Sequence, residues 1–157
     1  MEKTWVACMS CGAVNRVPSD RVDEHPKCGS CKSGLPIHGS LIDQNSKSLP
    51  NLIRTADKPI VVDFWAPWCG PCVSFAPTFE TASKQFGKDF IFVKVNTESD
   101  PNAGGLYGVR GIPTLVVFAQ GKELQRISGA LPAAQFAQWL TQAKNSIVAA
   151  YTSRASV

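Results

Sequence analysis

No stretch of this chain comes near the roughly 18 consecutive apolar residues of a membrane-spanning helix. The opening segment, Met1-Glu2-Lys3-Thr4-Trp5-Val6-Ala7-Cys8, has no apolar core of a secretory signal. Long runs of like charge are also missing. Sixteen basic residues face twelve acidic ones, a formal net charge of +4, so nothing marks a partner that is nucleic acid or a membrane surface. There is no segment of low complexity. These absences point to a cytoplasmic protein. In that compartment thiols stay reduced, and the six cysteines are expected to be metal ligands or redox catalysts rather than structural bridges. Apolar residues make up 44 % of 157 positions, enough for one ordinary domain with room for a small appendage.

Four of the cysteines form two C-x-x-C units, Cys8-Met9-Ser10-Cys11 and Cys28-Gly29-Ser30-Cys31, separated by sixteen residues. Each unit makes a tight turn that points two sulfurs at one centre, and the spacing fits a four-cysteine zinc site. Thiolates are soft ligands that close a tetrahedron around Zn²⁺. A segment so poor in apolar residues needs the metal's binding energy to fold. The alternatives are iron in a rubredoxin-like site, two disulfides, or free thiols. His25 and His38 lie nearby, but four sulfurs already fill the coordination sphere, so both read as surface histidines. Residues 1–48 carry six basic and five acidic side chains. Zn²⁺ on four thiolates brings this module close to neutral, which argues against a nucleic-acid finger.

Residues 33–48 mix Gly34, Pro36 and Gly39 with polar side chains and read as a linker, which places a domain boundary near residue 38: a metal module over 1–37 and a catalytic domain over 38–157. The second part alternates strand and helix. A first strand is expected at 40–43, helices at 49–56, 70–86, 101–107 and 133–149, and strands at 60–65, 90–96, 114–119 and 123–128. Pro77 should kink the second helix. The end, 151–157, reads as a polar, frayed tail.

At the junction of the strand at 60–65 and the helix after it stands Trp65-Ala66-Pro67-Trp68-Cys69-Gly70-Pro71-Cys72. Two thiols three apart at a helix start make a candidate redox centre. With Cys69 capping the helix and Cys72 in its first turn, the Cα atoms would sit about 5 Å apart, within reach of a disulfide. The positive helix end would favour a thiolate on Cys69. A structural metal pair would need two further ligands, and none is evident beside the motif. Asp63 is the polar misfit in the apolar strand, read from the residues alone as either a satisfied structural carboxylate or a proton carrier. Lys94 alone reads as a solvated edge residue, and Gly129 as a strand end.

The run Val62-Asp63-Phe64-Trp65-Ala66-Pro67-Trp68-Cys69-Gly70-Pro71-Cys72, with Gly111-Ile112-Pro113-Thr114 downstream, resembles the thioredoxin family over roughly residues 40–148. With the cysteine-rich extension, the chain resembles the zinc-carrying bacterial class called thioredoxin 2. The resemblance implies an α/β thioredoxin fold, a central mixed sheet flanked by helices, with a small zinc-ribbon-like module before it. It implies a protein-disulfide reductase in which exposed Cys69 attacks the target and more buried Cys72 resolves the mixed disulfide. Asp63 would be the base for Cys72, Lys94 its partner, and Pro113 a cis-proline facing the sulfurs. Trp68, Gly70, Pro71, Ile112, Pro113 and Gly129 would bind the substrate. The implied cofactor is one structural Zn²⁺ per chain on Cys8, Cys11, Cys28 and Cys31. The implied partners are disulfide-containing proteins and an NADPH-dependent flavoenzyme, thioredoxin reductase, and the protein is expected to be a monomer. One departure is Pro67, where the family often has an acid. A different class of function stays open: a zinc-dependent redox sensor or holdase-type binding module.

Overall fold

The apolar strand segments pack their alternate residues on two opposite sides, and that alternation builds the molecule. In a computed structural model, which describes residues 3–155, β5 (Ile60–Trp65) lies between β6 (Ile91–Asn96), parallel to it, and β7 (Thr114–Ala119), antiparallel. β8 (Lys122–Ser128) follows β7 through Gln120 and Gly121, both with left-handed φ (53° and 79°), the conformation of a tight hairpin turn. β4 (Leu41–Asp43) joins the far side of β6 in parallel, and β3 (Ile37–His38) closes that edge. The six-stranded mixed sheet runs β3-β4-β6-β5-β7-β8.

Val62, Phe64, Val93, Val95, Val116 and Phe118 face one side, where α1 (Leu49–Thr55) and α3 (Pro101–Leu106) cover them with Leu49, Leu52 and Ala103. Val61, Phe92, Leu115 and Val117 face the other, under α2 (Gly70–Gln85) and α4 (Ala133–Ala155). There Phe75, Phe79 and Phe136 are buried among them. Phe79 meets Phe92 edge-on at 5.2 Å and Phe75 meets Phe136 at 5.1 Å, separations at which aromatic pairs are favourable beyond their buried area. α2 continues through Pro77 without a break.

Four elements and the length of a fifth lie outside the sequence expectation. β3 precedes the first expected strand, α4 runs six residues past position 149, and the cysteine-rich module contains a hairpin, β1 (Lys3–Ala7) with β2 (Val14–Pro18), and a 3-10 turn at Ser19–Glu24. The tail beyond residue 155 lies outside the described residues. Among them, no helix is long and apolar enough to cross a membrane.

The cysteine-rich module packs on the catalytic sheet. Val6, Ala7 and Val17 join the core under α1. Gln44, 2 % exposed, takes both polar groups of the Ala7 backbone: Ala7 N–H donates to Oε1 at 3.2 Å and Nε2 donates to Ala7 C=O at 2.8 Å. Asn51 on α1 donates to the Gly12 carbonyl at 2.9 Å. Gly12 has φ +81°, which favours glycine, and a Cβ there would stand 2.9 Å from Asn51 Nδ2 and push on that hydrogen bond.

Candidate active site and metal centre

β5 ends at Trp65 and the chain turns through Ala66–Trp68 into α2. Cys69 is the N-cap of that helix, and its sulfur accepts the Cys72 N–H at 3.2 Å. An N-cap sulfur so placed sits at the positive end of the helix, where a thiolate is stabilised. Pro71 falls in the first turn, where no backbone donor is needed. The two cysteines are disulfide-bonded, with Cα atoms 5.2 Å apart. The expectation of an exposed Cys69 needs amending in this oxidised form. Cys69 is 5 % exposed and Cys72 0 %, because the bonded sulfurs are packed with Ala66, Trp65 and Ile112.

Ile112–Pro113 is a cis peptide, and the Ile112 carbonyl oxygen lies 3.8 Å from Cys69 Sγ. Trp68 is 70 % exposed; Gly70 and Pro71 are exposed beside it, while Ile112 and Gly129 are half-buried. Gly129 donates its N–H to the Pro113 carbonyl at 2.7 Å. That bond ties the end of β8 to the proline loop, a contact no reading of Gly129 as a mere strand end contains.

Asp63 lies in the middle of β5, opposite Lys94 on β6 and Leu115 on β7. It is 0 % exposed, and neither carboxylate oxygen has a hydrogen-bond partner. Burial pushes its carboxyl up to about 7, against a downward pull from the Lys94 charge. Lys94 is not an edge residue: β6 runs between β4 and β5, and Lys94 is half-buried with Nζ 4.4 Å from the centre of the Trp65 ring.

The four candidate metal ligands come from two copies of one turn. In the first, Cys8 N–H donates to Ala13 C=O and Gly12 N–H to Cys8 C=O, both at 2.8 Å; in the second, Cys28 and Lys32 N–H groups do the same toward Ser33 and Cys28 at 2.8 and 2.9 Å. Gly12 and Lys32 take left-handed φ at equivalent places. All four sulfurs lie within 4.8 Å of one another, and the Cys8–Cys31 and Cys11–Cys28 pairs are 3.6 Å apart. A tetrahedron with bonds of about 2.3 Å has edges of about 3.8 Å, so the donor set fits a metal ion. Asn15 is a residue the sequence did not single out. It donates to Cys28 Sγ at 3.5 Å and accepts the Gly29 N–H at 2.9 Å, tying the first knuckle to the second. The Cys28 thiol is held down to about 6, by the backbone of Cys31 and then by Asn15, while Cys11, against the backbone bond of Ala13, is pushed up to about 11 by burial and the other three sulfurs, so the pair gives up one proton readily and holds the other. His25 and His38 are exposed, and His38 pairs with Asp43 at 2.7 Å.

Comparison with known proteins bears on both halves. Residues 40–142 match the family model described as Thioredoxin, and residues 7–33 match the one described as Thioredoxin 2, N-terminal. The chain belongs to the thioredoxin family. Thioredoxin C-3 of Corynebacterium nephridii is 42 % identical over 138 residues, which is 87 % of this chain and 93 % of the relative. A chloroplastic M-type thioredoxin of Chlamydomonas reinhardtii is 39 % identical over 78 % of this chain and 89 % of its own. Thioredoxin 1 of a Nostoc species is 42 % identical over 56 % of this chain and 82 % of its own. This thioredoxin is a thiol–disulfide oxidoreductase with a zinc-ribbon domain before the catalytic one, and the ribbon's four cysteines stand where a metal ion could be held.

Proposed function

We propose that this thioredoxin reduces protein disulfides in the cytoplasm through Cys69 and Cys72. The observation that carries the reading is Cys69 at the N-cap of α2, with the Cys72 N–H on its sulfur at 3.2 Å. In the reduced enzyme the Cys69 thiolate attacks a target disulfide. A Cys69–target bond forms, the target S–S bond breaks, and one target thiolate leaves. Cys72 loses its proton to Asp63, attacks the Cys69 sulfur, and displaces the second target thiolate. Two electrons pass to the target and the enzyme is left as the Cys69–Cys72 disulfide. A flavin-dependent thioredoxin reductase drawing on NADPH returns it to the dithiol.

Asp63 suits the base role because its carboxyl titrates near neutrality and has no hydrogen-bond partner to compete for the proton. Lys94 keeps part of its population ionised. Trp68, Gly70, Pro71, Ile112, Pro113 and Gly129 form the docking face, where the Ile112 backbone is placed to meet an extended target segment. The metal is one Zn²⁺ per chain on Cys8, Cys11, Cys28 and Cys31, closed and structural; bound, it supplies folding energy. The division between modules falls near residue 38, and the protein works as a monomer. A second reading, a redox sensor or holdase seated in the ribbon, draws support from the exposure of Cys11 and Cys31.

Insulin reduction with reductase and NADPH tests the catalytic reading. Cys69→Ser is expected to abolish turnover, and Cys72→Ser to trap a mixed disulfide. Persisting turnover in Cys69→Ser would defeat it. Oxidation of the ribbon cysteines that created partner binding without changing reductase activity would favour the sensor.

A further inference from the structure

The ribbon reaches the active-site end of the sheet through its first knuckle. Met9, between the ligands Cys8 and Cys11, is 37 % exposed. It lines a cavity of about 230 Å³ whose wall also includes Trp65, Lys94, Asn96, Asp43 and Asp100. Met9 and Trp65 are the apolar members of a wall that is otherwise polar. Trp65 touches the cavity on one side and packs against Cys69 and Cys72 on the other. The backbone holds Met9 in register with this wall. Ala7 is clamped by Gln44, and the Gln44 N–H donates to the Lys94 carbonyl at 3.0 Å.

The charged groups on this cavity are few. Asp43, from β4, is paired with His38 of β3 at 2.7 Å. Asp100, ahead of α3, accepts from the Ser46 backbone N–H at 2.6 Å and the Ser46 hydroxyl at 3.1 Å. Asp63, from β5, faces Lys94 across the ladder. Among the described residues no carboxylate lies within ion-pair distance of Lys94 Nζ, and the ribbon brings no charge of its own to the wall. A charge acts further through apolar surroundings than through water. What walls the space beside Lys94 therefore bears on how strongly it acts on Asp63.

We propose that Met9, supplied by the ribbon, is a positioning residue for proton transfer at the active disulfide: it forms the ribbon's side of the cavity that Lys94 also lines, limits the water beside Lys94, and so tunes the strength with which Lys94 favours ionised Asp63. The ribbon is then a wall of the catalytic centre as well as a metal-folded appendage. This rests on the reading of Asp63 as proton carrier for Cys72.

The test uses the reduced, zinc-loaded full chain. The Asp63 carboxyl is titrated by NMR, and the pH profile of mixed-disulfide resolution is recorded alongside, in Met9→Leu, Met9→Ala and Met9→Glu. Leucine keeps the apolar wall and should keep the wild-type midpoint. Alanine admits water and should raise the midpoint. Glutamate, which neutralises Lys94, should raise it by about one pH unit, slowing resolution at pH 7 about fivefold if the wild-type midpoint is near neutrality. Unmoved midpoints in both Met9→Ala and Met9→Glu, with one zinc still bound, would overturn the proposal; so would Met9→Leu shifting as far as Met9→Ala. Should Met9→Glu lose its metal, the comparison of alanine with leucine decides. Asp63→Asn separates the two claims: if its resolution profile matches wild type, the proton-carrier reading fails, while the effect of Met9 on the Asp63 midpoint is read independently.

Discussion

A carboxyl with no hydrogen-bond partner in the centre of a sheet destabilises the fold whenever it is ionised, and Asp63 is such a group. Its folded pKa of about 7 stands above the 3.8 of a free aspartate side chain, so between those pH values the folded state holds a proton that the unfolded state has released. Stability contributed by this site is full below pH 4, falls as pH rises, and is lost above 7. Asp63→Asn should therefore leave stability at pH 4 unchanged and raise it at pH 8 by on the order of 4 kcal/mol, read from urea unfolding at both values, while slowing turnover. Equal unfolding midpoints at pH 8 would remove the case for a strained carboxyl. In the sequence this residue stood out, being polar in an otherwise apolar strand. Lys94 stood out only through the family resemblance, because its burial depends on β6 lying between β4 and β5, an order no local pattern encodes. Asn15 and Gln44 were silent: each is an ordinary polar residue until the partner 14 or 37 positions away is in place.

At the scale of elements, the docking of the ribbon hairpin is concentrated in Gln44 and Gly12. Truncating Gln44 strands a buried N–H and a buried C=O of Ala7, at about 1–3 kcal/mol each. Gln44→Ala should accordingly cost roughly 2–6 kcal/mol in chemical denaturation; a loss below about 0.5 kcal/mol, the size of an ordinary surface substitution, would contradict the clamp. The central strands were readable as strands because both faces are covered, giving nearly unbroken apolar runs. The hairpin β1–β2 was not. Its five-residue strands carry Lys3, Thr4, Asn15 and Arg16, and what aligns them is the closing turn of the first knuckle rather than a hydrophobic period.

For the molecule as a whole, the core that buries Leu49 and Leu52 is shared with Val6, Ala7 and Val17. A metal bound to the ribbon would thus stabilise more than the ribbon. Chelation under reducing conditions should lower the melting temperature and make it depend on added zinc; a melting curve indifferent to metal would show that the four sulfurs contribute no folding energy. The two-part division was legible because cysteine spacing and the active-site run each mark their own module. How the parts meet was not, since the contacts join residues 7 and 12 to 44 and 51.

The strand order has a consequence for biosynthesis. The fourth ribbon sulfur has been translated by residue 31, so a metal ion could be captured while the nascent chain is still short. β4 can pair at once with β3, but its second neighbour comes only when β6 arrives some fifty residues later, at Phe92 to Lys94. Until then Gln44 has no Lys94 carbonyl to accept its N–H. On the ribosome the cysteine-rich end is therefore the first piece able to close, and its seat on the catalytic sheet is completed only after β6 has emerged.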